Sequence, residues 1–170
     1  MPPLSIMIKH ASSLCNMRCE YCFYHNVTEL REVSSFGIMT NDTADNLIEK
    51  ALKFANGESV AFAFQGGEPL MAGIPYFEHF VEKVKSANHL HSQIYFSTQT
   101  NGTLVTDEWC EFFHKNNFLV GLSLDGDFKH NKFRVDQNRE NTFYRILNAN
   151  EKFKKHKVEF NILTVLTGYC

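Results

Sequence analysis

The sequence predicts an α/β fold built on a parallel sheet. Two observations carry this. Five short apolar runs alternate with four amphipathic helical patterns, and β-α alternation of this kind implies parallel strands joined by helical crossovers. Most of the runs are near-continuously apolar rather than strictly alternating, the pattern of strands buried on both faces.

The elements follow in order. The first strand is expected at Leu4–Ile8. Thr43–Asn56 is a helix, with Leu47, Ile48, Ala51, Leu52 and Ala55 on one stripe and Asn56-Gly57 as its stop. Val60–Gln65 is the second strand. Pro75–Ala87 is a helix with proline at its opening turn and Phe77, Phe80, Val81 and Val84 on one face. Ile94–Gln99 is the third strand. Asp107–Lys115 is a helix capped by Thr106, with Asp107 and Glu108 at its start and Lys115 at its end, each complementing the helix dipole. Leu119–Leu124 is the fourth strand, Thr142–Lys155 the last helix, and Val158–Leu166 the fifth strand. The basic run Lys152 to Lys157 reads as a solvated helix end. Alternation alone leaves open whether the sheet is a barrel or an open one. The stretch from Ala11 to Met39 reads as irregular and too long for a plain connection.

Composition bounds the function. The chain has 170 residues, room for one ordinary domain. Seventeen basic and nineteen acidic residues give a net charge of −2, so no excess of base points to nucleic acid or an anionic membrane. No apolar run of membrane-spanning length and no secretory leader is visible, and the expected compartment is the cytoplasm. Phenylalanine is abundant, at 16 residues, so a large core is available. Of five cysteines, three fall within eight residues. In a reducing compartment clustered thiols bind metal more often than they pair.

Chemistry in parallel α/β folds collects at the carboxyl ends of the strands. Four successive strands here end in loops of unusual composition: Cys15 to Cys22, Gln65-Gly66-Gly67-Glu68-Pro69, Gln99-Thr100-Asn101-Gly102, and Ser123-Leu124-Asp125-Gly126. One such loop is ordinary turn chemistry; four on one rim suggest a single site. Cys15, Cys19 and Cys22 form C-x3-C-x2-C, which lets one loop aim three thiolates at an iron–sulfur cluster. Zinc is the rival, because His25 would complete a Cys3His site. The Gly-Gly pair lets backbone approach a ligand closely, and Glu68 can accept from an amine; a tight turn would have the same composition. Neither a phosphate loop nor a dinucleotide fingerprint is present. Ser123, Asp125, His130 and Arg134 form a looser group, in which Arg134 can pair with a carboxylate through its two-pronged guanidinium. His130 reads as a structural hydrogen bonder, Cys110 as a packed thiol and Cys170 as a plain one.

These residues resemble the radical S-adenosylmethionine enzymes: C-x3-C-x2-C with Tyr21 before the last cysteine, then Gly66-Gly67-Glu68-Pro69. Pro2-Pro3-Leu4-Ser5, Cys22-Phe23-Tyr24-His25, Phe62 to Pro69, Gln99 to Leu104 and Gly121 to Gly126 extend the resemblance to anaerobic sulfatase-maturating enzymes over nearly the whole chain. The resemblance implies a partial (β/α)6 barrel, here about four βα units and a fifth strand, with residues 1–170 as the N-terminal part of the core domain. It implies a [4Fe–4S] cluster on Cys15, Cys19 and Cys22 and S-adenosylmethionine on its open iron. Gln65, Gly66, Gly67 and Glu68 would meet the methionine amino end, Ser123 and Arg134 the carboxylate or ribose, and Tyr21 and Tyr24 the adenine. Gln99 and Asn101 would contact a peptide. The implied reaction is reductive cleavage to a 5′-deoxyadenosyl radical and oxidation of a sulfatase cysteine or serine to formylglycine. Its partners would be the sulfatase polypeptide and an electron donor such as flavodoxin or ferredoxin. Another peptide-modifying radical enzyme shares several of these motifs. The family's auxiliary-cluster domain and general base would lie beyond Cys170, and a barrel lacking its remainder leaves an edge strand uncovered.

Overall fold

The computed structural model describes residues 3–168. Five strands, β1 (Leu4–Ile8), β2 (Val60–Phe64), β3 (Ile94–Thr100), β4 (Phe118–Ser123) and β5 (Glu159–Leu163), form one sheet in the order β1-β2-β3-β4-β5. Every neighbouring pair is parallel. Five helices intervene: α1 (Phe23–Glu29), α2 (Asn41–Ala55), α3 (Ile74–Ala87), α4 (Asp107–Lys115) and α5 (Phe143–Lys155).

Local chemistry starts and stops them. Thr40 Oγ1 caps α2 by accepting from the Thr43 N–H, and Asn56 ends it in the left-handed conformation. Thr106 Oγ1 caps α4 through the Trp109 N–H. Helix α1 lies within the stretch read as irregular. Cys22 caps it without a side-chain bond, and its terminal turns carry no complementary charge, so the usual boundary signals are absent. Short 3₁₀ turns at Pro69–Ala72 and His130–Phe133 were likewise not foreseen.

The sheet is buried on one face, which corrects the expectation of two. Val60, Phe62, Phe64, Phe118, Val120 and Leu122 pack into one core with Ile48 of α2, Phe77 and Phe80 of α3, Phe113 of α4 and Phe153 of α5. Helices α2 to α5 therefore cover the same face, as same-handed crossovers along consecutively ordered strands require. The opposite face carries Met7, Tyr95 and Leu119, all exposed. Between them stand the small residues Ala61, Ala63, Ser97 and Gly121. Alanines alternating with large apolar residues read as a continuous apolar run, which hid the period of two. The parallel register brings all strand carboxyl ends to one rim.

Candidate active site at the strand carboxyl ends

The cysteine loop leaves β1 and is fixed by backbone contacts from every side. Met17 is fully buried beneath it. The Arg18 N–H donates to Val135 O at 2.8 Å and the Glu20 N–H to Phe133 O at 2.9 Å, so the loop pairs with the segment after β4. Gln137 Nε2 donates to Cys15 O and Met17 O at 3.2 and 3.3 Å. Cys15, Cys19 and Cys22 are free and half-buried. Burial pushes the Cys15 thiol up to about 12, against the Met17 N–H that faces its sulfur at 3.4 Å. Burial likewise pushes Cys19 up to about 11, opposed by the charge of Arg134.

Among the described residues, no three His, Cys, Asp or Glu side chains close on a single ion-sized point. Ligands of one zinc ion would all stand about 2.0–2.3 Å from one centre, whereas a cluster spreads its cysteines over several irons. Free thiols on a shared rim, with an N–H at one and a guanidinium near another, fit an anionic iron–sulfur cluster. The rival zinc reading needs His25, whose side chain lies outside the described residues, as does Cys170.

The second loop is docked against the first. Gly66 and Gly67 both have positive φ, +93° and +54°. A Cβ on Gly67 would lie 2.2 Å from Leu14 O. The same carbonyl accepts the Glu68 N–H at 2.7 Å. Only glycine permits this approach. The Glu68 side chain, expected to meet an amine, is engaged within the protein. Its carboxylate is buried and accepts from the Leu70 N–H at 3.0 Å, Thr100 Oγ1 at 2.7 Å and the Asn101 N–H at 2.8 Å. Burial raises it to about 7, against those three donors. Behind it, buried His10 reaches Pro69 O with Nε2 at 3.1 Å, and burial lowers His10 to about 4.

Arg134, expected to meet a carboxylate or ribose, is buried against Asp125: Nη2 donates to Oδ1 at 3.0 Å and Nε lies 2.9 Å from Oδ2. Asp125 also accepts from Tyr21 Oη and from the Val165 N–H at 2.9 Å. The guanidinium lies 5.5 Å from the Tyr21 ring centre. Burial, then the bond to Asp125, raises the Tyr21 phenol. Asp125 thus joins the cysteine loop, the end of β4 and the end of β5. Asn101, expected to meet a peptide, instead reaches Asn16 Oδ1 at 2.9 Å in the cysteine loop.

At the rim, Gln65, Gln99 and Ser123 share the inner face. Gln65 Nε2 donates to Gln99 Oε1 at 2.9 Å, and Gln99 Nε2 faces Ser123 Oγ at 3.4 Å. The chain of contacts runs across the tips of β2, β3 and β4. Tyr24, on α1, lies beneath Lys9 Nζ at 5.1 Å and stacks on Phe23. Exposed His130 bonds Asp127, as a structural residue would. Sequence reasoning placed Asp125 in a loose group and passed over Asn16, His10 and Gln137. A buried aspartate at a strand end was the available signal for the first; nothing local distinguished the others.

Comparison with known proteins follows the same lines. The profile described as the Radical SAM superfamily matches residues 11–169. The chain is 49% identical over 169 residues to a cysteine-type anaerobic sulfatase-maturating enzyme of Clostridium perfringens, covering 99% of this chain and 45% of that protein. It is 43% identical to a cysteine-type enzyme of Clostridium novyi, covering 98% and 44%. It is 33% identical to a serine-type enzyme of Bacteroides thetaiotaomicron, covering 98% and 40%. A solved structure described as native anSMEcpe with bound AdoMet superposes with a TM-score of 0.91 at 48% identity, covering 97% of this chain and 45% of that one. The chain therefore spans less than half the length of these relatives. With the sheet order, the cysteine loop and the Gly-Gly-Glu-Pro turn all in place, the match over residues 11–169 settles the family: the chain belongs to the radical SAM superfamily.

Proposed function

We propose that the chain is the N-terminal part of the core domain of an enzyme that oxidises a sulfatase residue to formylglycine. The observation that carries this reading is the trio of free, half-buried thiols on one rim, clamped by three neighbouring loops. Cys15, Cys19 and Cys22 would hold a [4Fe–4S] cluster, and the loop Gln65 to Gly67 with Ser123, Tyr21 and Tyr24 would hold S-adenosylmethionine. When bound, these groups supply a 5′-deoxyadenosyl radical by one-electron reduction and cleavage of the sulfonium.

The protein's part is positioning. Gly66 and Gly67 open backbone toward the rim. Glu68 and Arg134 act through their partners, fixing the second loop and Tyr21. Gln65 and Gln99 face the inner side of the wall, where a peptide side chain would enter. Glu68, Asp125 and Asp136, acids buried at this rim, are all committed to internal donors, so we assign the general base to another residue of the enzyme. Identities of 49% and 43% to cysteine-type relatives against 33% to a serine-type one favour cysteine as the residue modified. A flavodoxin or ferredoxin would supply the electron, and such low-potential chemistry suits the cytoplasm. Among the described residues no helix is long and apolar enough to cross a membrane.

Anaerobic reconstitution with iron and sulfide tests the site. About four irons and four sulfides per chain are expected. Reduction in the presence of S-adenosylmethionine should then release 5′-deoxyadenosine. One zinc per chain, with no cluster, overturns the reading. With the enzyme at its relatives' full length, a sulfatase peptide bearing cysteine should gain an aldehyde. A cluster-bearing enzyme that modifies a different peptide overturns the sulfatase assignment alone.

A further inference from the structure

We propose that Asn101 is a positioning residue that raises the reduction potential of the cluster by aiming a side-chain N–H at Cys15 Sγ; this rests on the cluster assignment above. Asn101 sits at the carboxyl end of β3, 8% exposed. Its orientation is determined by its neighbours. Asn101 Oδ1 accepts from the Thr103 N–H at 2.9 Å and from Thr103 Oγ1 at 2.7 Å. A backbone N–H can only donate, so that corner of the carboxamide is oxygen and the NH₂ points the other way. There Nδ2 meets Asn16 Oδ1 at 2.9 Å and Cys15 Sγ at 3.9 Å. Asn16 Nδ2 in turn donates to Thr103 Oγ1 at 2.8 Å.

Asn101, Asn16 and Thr103 therefore form a closed ring in which each side chain both donates and accepts. The ring uses one proton of Asn101 Nδ2, and the other faces the sulfur. Met17 N–H approaches the same sulfur at 3.4 Å, so two donors are aimed at Cys15. The backbone N–H of Asn101 is held by Glu68, which anchors the residue to the second loop as well. A donor on a ligating thiolate stabilises the reduced, more negative state more than the oxidised one. Losing it lowers the midpoint.

The test uses the chain reconstituted anaerobically with iron and sulfide, its reduced cluster followed by electron paramagnetic resonance during a potential titration. Asn101→Ala should keep its iron and sulfide and titrate at a lower potential than wild type. Asn101→Asp, which sets a negative oxygen beside the sulfur, should fall further. An unchanged midpoint in cluster-bearing variants overturns the proposal and leaves the cluster assignment standing. A wild-type chain that takes up no four-iron cluster overturns the assignment, and the inference with it. Should both variants lose the cluster, wild-type protein carrying asparagine labelled with ¹⁵N in the side chain decides. A ¹⁵N hyperfine coupling to the reduced cluster that survives Asn16→Asp supports Asn101 as the donor, and its absence overturns the proposal.

Discussion

Gly67→Ala should uncouple the Gly-Gly turn from the cysteine loop. The added Cβ would stand 2.2 Å from Leu14 O, where real contacts do not come below 3.0 Å, so the two loops must separate by about 0.8 Å. That displacement falls on the 2.7 Å bond from the Glu68 N–H to the same carbonyl. Stretched to about 3.5 Å it ceases to be a hydrogen bond. Losing a buried backbone bond costs about 1–3 kcal/mol. The left-handed φ of +54° adds about 1–2 kcal/mol for any residue with a Cβ. Gly66→Ala isolates the two contributions. It has the same kind of φ, +93°, but its Cβ meets the Lys9 side chain, nearest atom at 3.1 Å, which can rotate aside. Urea unfolding of both variants at one pH, with unchanged m-values, should show Gly67→Ala the less stable by about 1–3 kcal/mol. Its cluster content should fall as well. Equal midpoints would refute the close-approach argument.

Glu68→Gln should flatten the pH dependence of stability. Glu68 is raised from 4.5 to about 7, so its contribution is fully present below the unfolded value and lost as pH rises through about 7. The wild type should lose on the order of 3 kcal/mol relative to the variant between pH 4.5 and 7.5, measured by denaturant titration; parallel pH profiles would count against it. Asp125→Ala leaves Arg134 buried without its partner and should cost about 3–5 kcal/mol, part of which Asp125→Ala with Arg134→Leu recovers. No recovery in the double variant would mean that the pair is not coupled. Cys19→Ala should abolish cluster binding by iron and sulfide assay, whereas Cys110→Ala, in the packed core of α4, should retain it. A full cluster on Cys19→Ala would show the ligand set to be misassigned.

Much of the fold was legible residue by residue. Asp107–Lys115 matches its predicted span because Thr106 and the terminal charges mark both ends. Helix α1 was not legible, since its boundaries carry no such marks. The wall's inner face was misread because Ala61 and Ala63 serve as spacers while resembling core. At the site, the cysteine spacing and the Gly-Gly-Glu-Pro turn announced themselves. The directions of Glu68, Arg134 and Asn101 did not. Glu68 is held by Thr100 and Asn101, 32 and 33 residues away, and Asn101 reaches Asn16, 85 residues away, while Arg134 pairs with Asp125, nine residues away across a loop.

The amino-acid order by itself determined the strand and helix succession, the rim on which the unusual loops gather and the three thiols that define its chemistry. These follow from periodicity and spacing, which are local. Tertiary structure alone decided which polar side chains face outward and which hold the loops together. A buried carboxylate or guanidinium must find its donors or counter-charge wherever folding brings them. Glu68 found its donors at the end of β3, and Asp125 and Asn101 found partners in the cysteine loop.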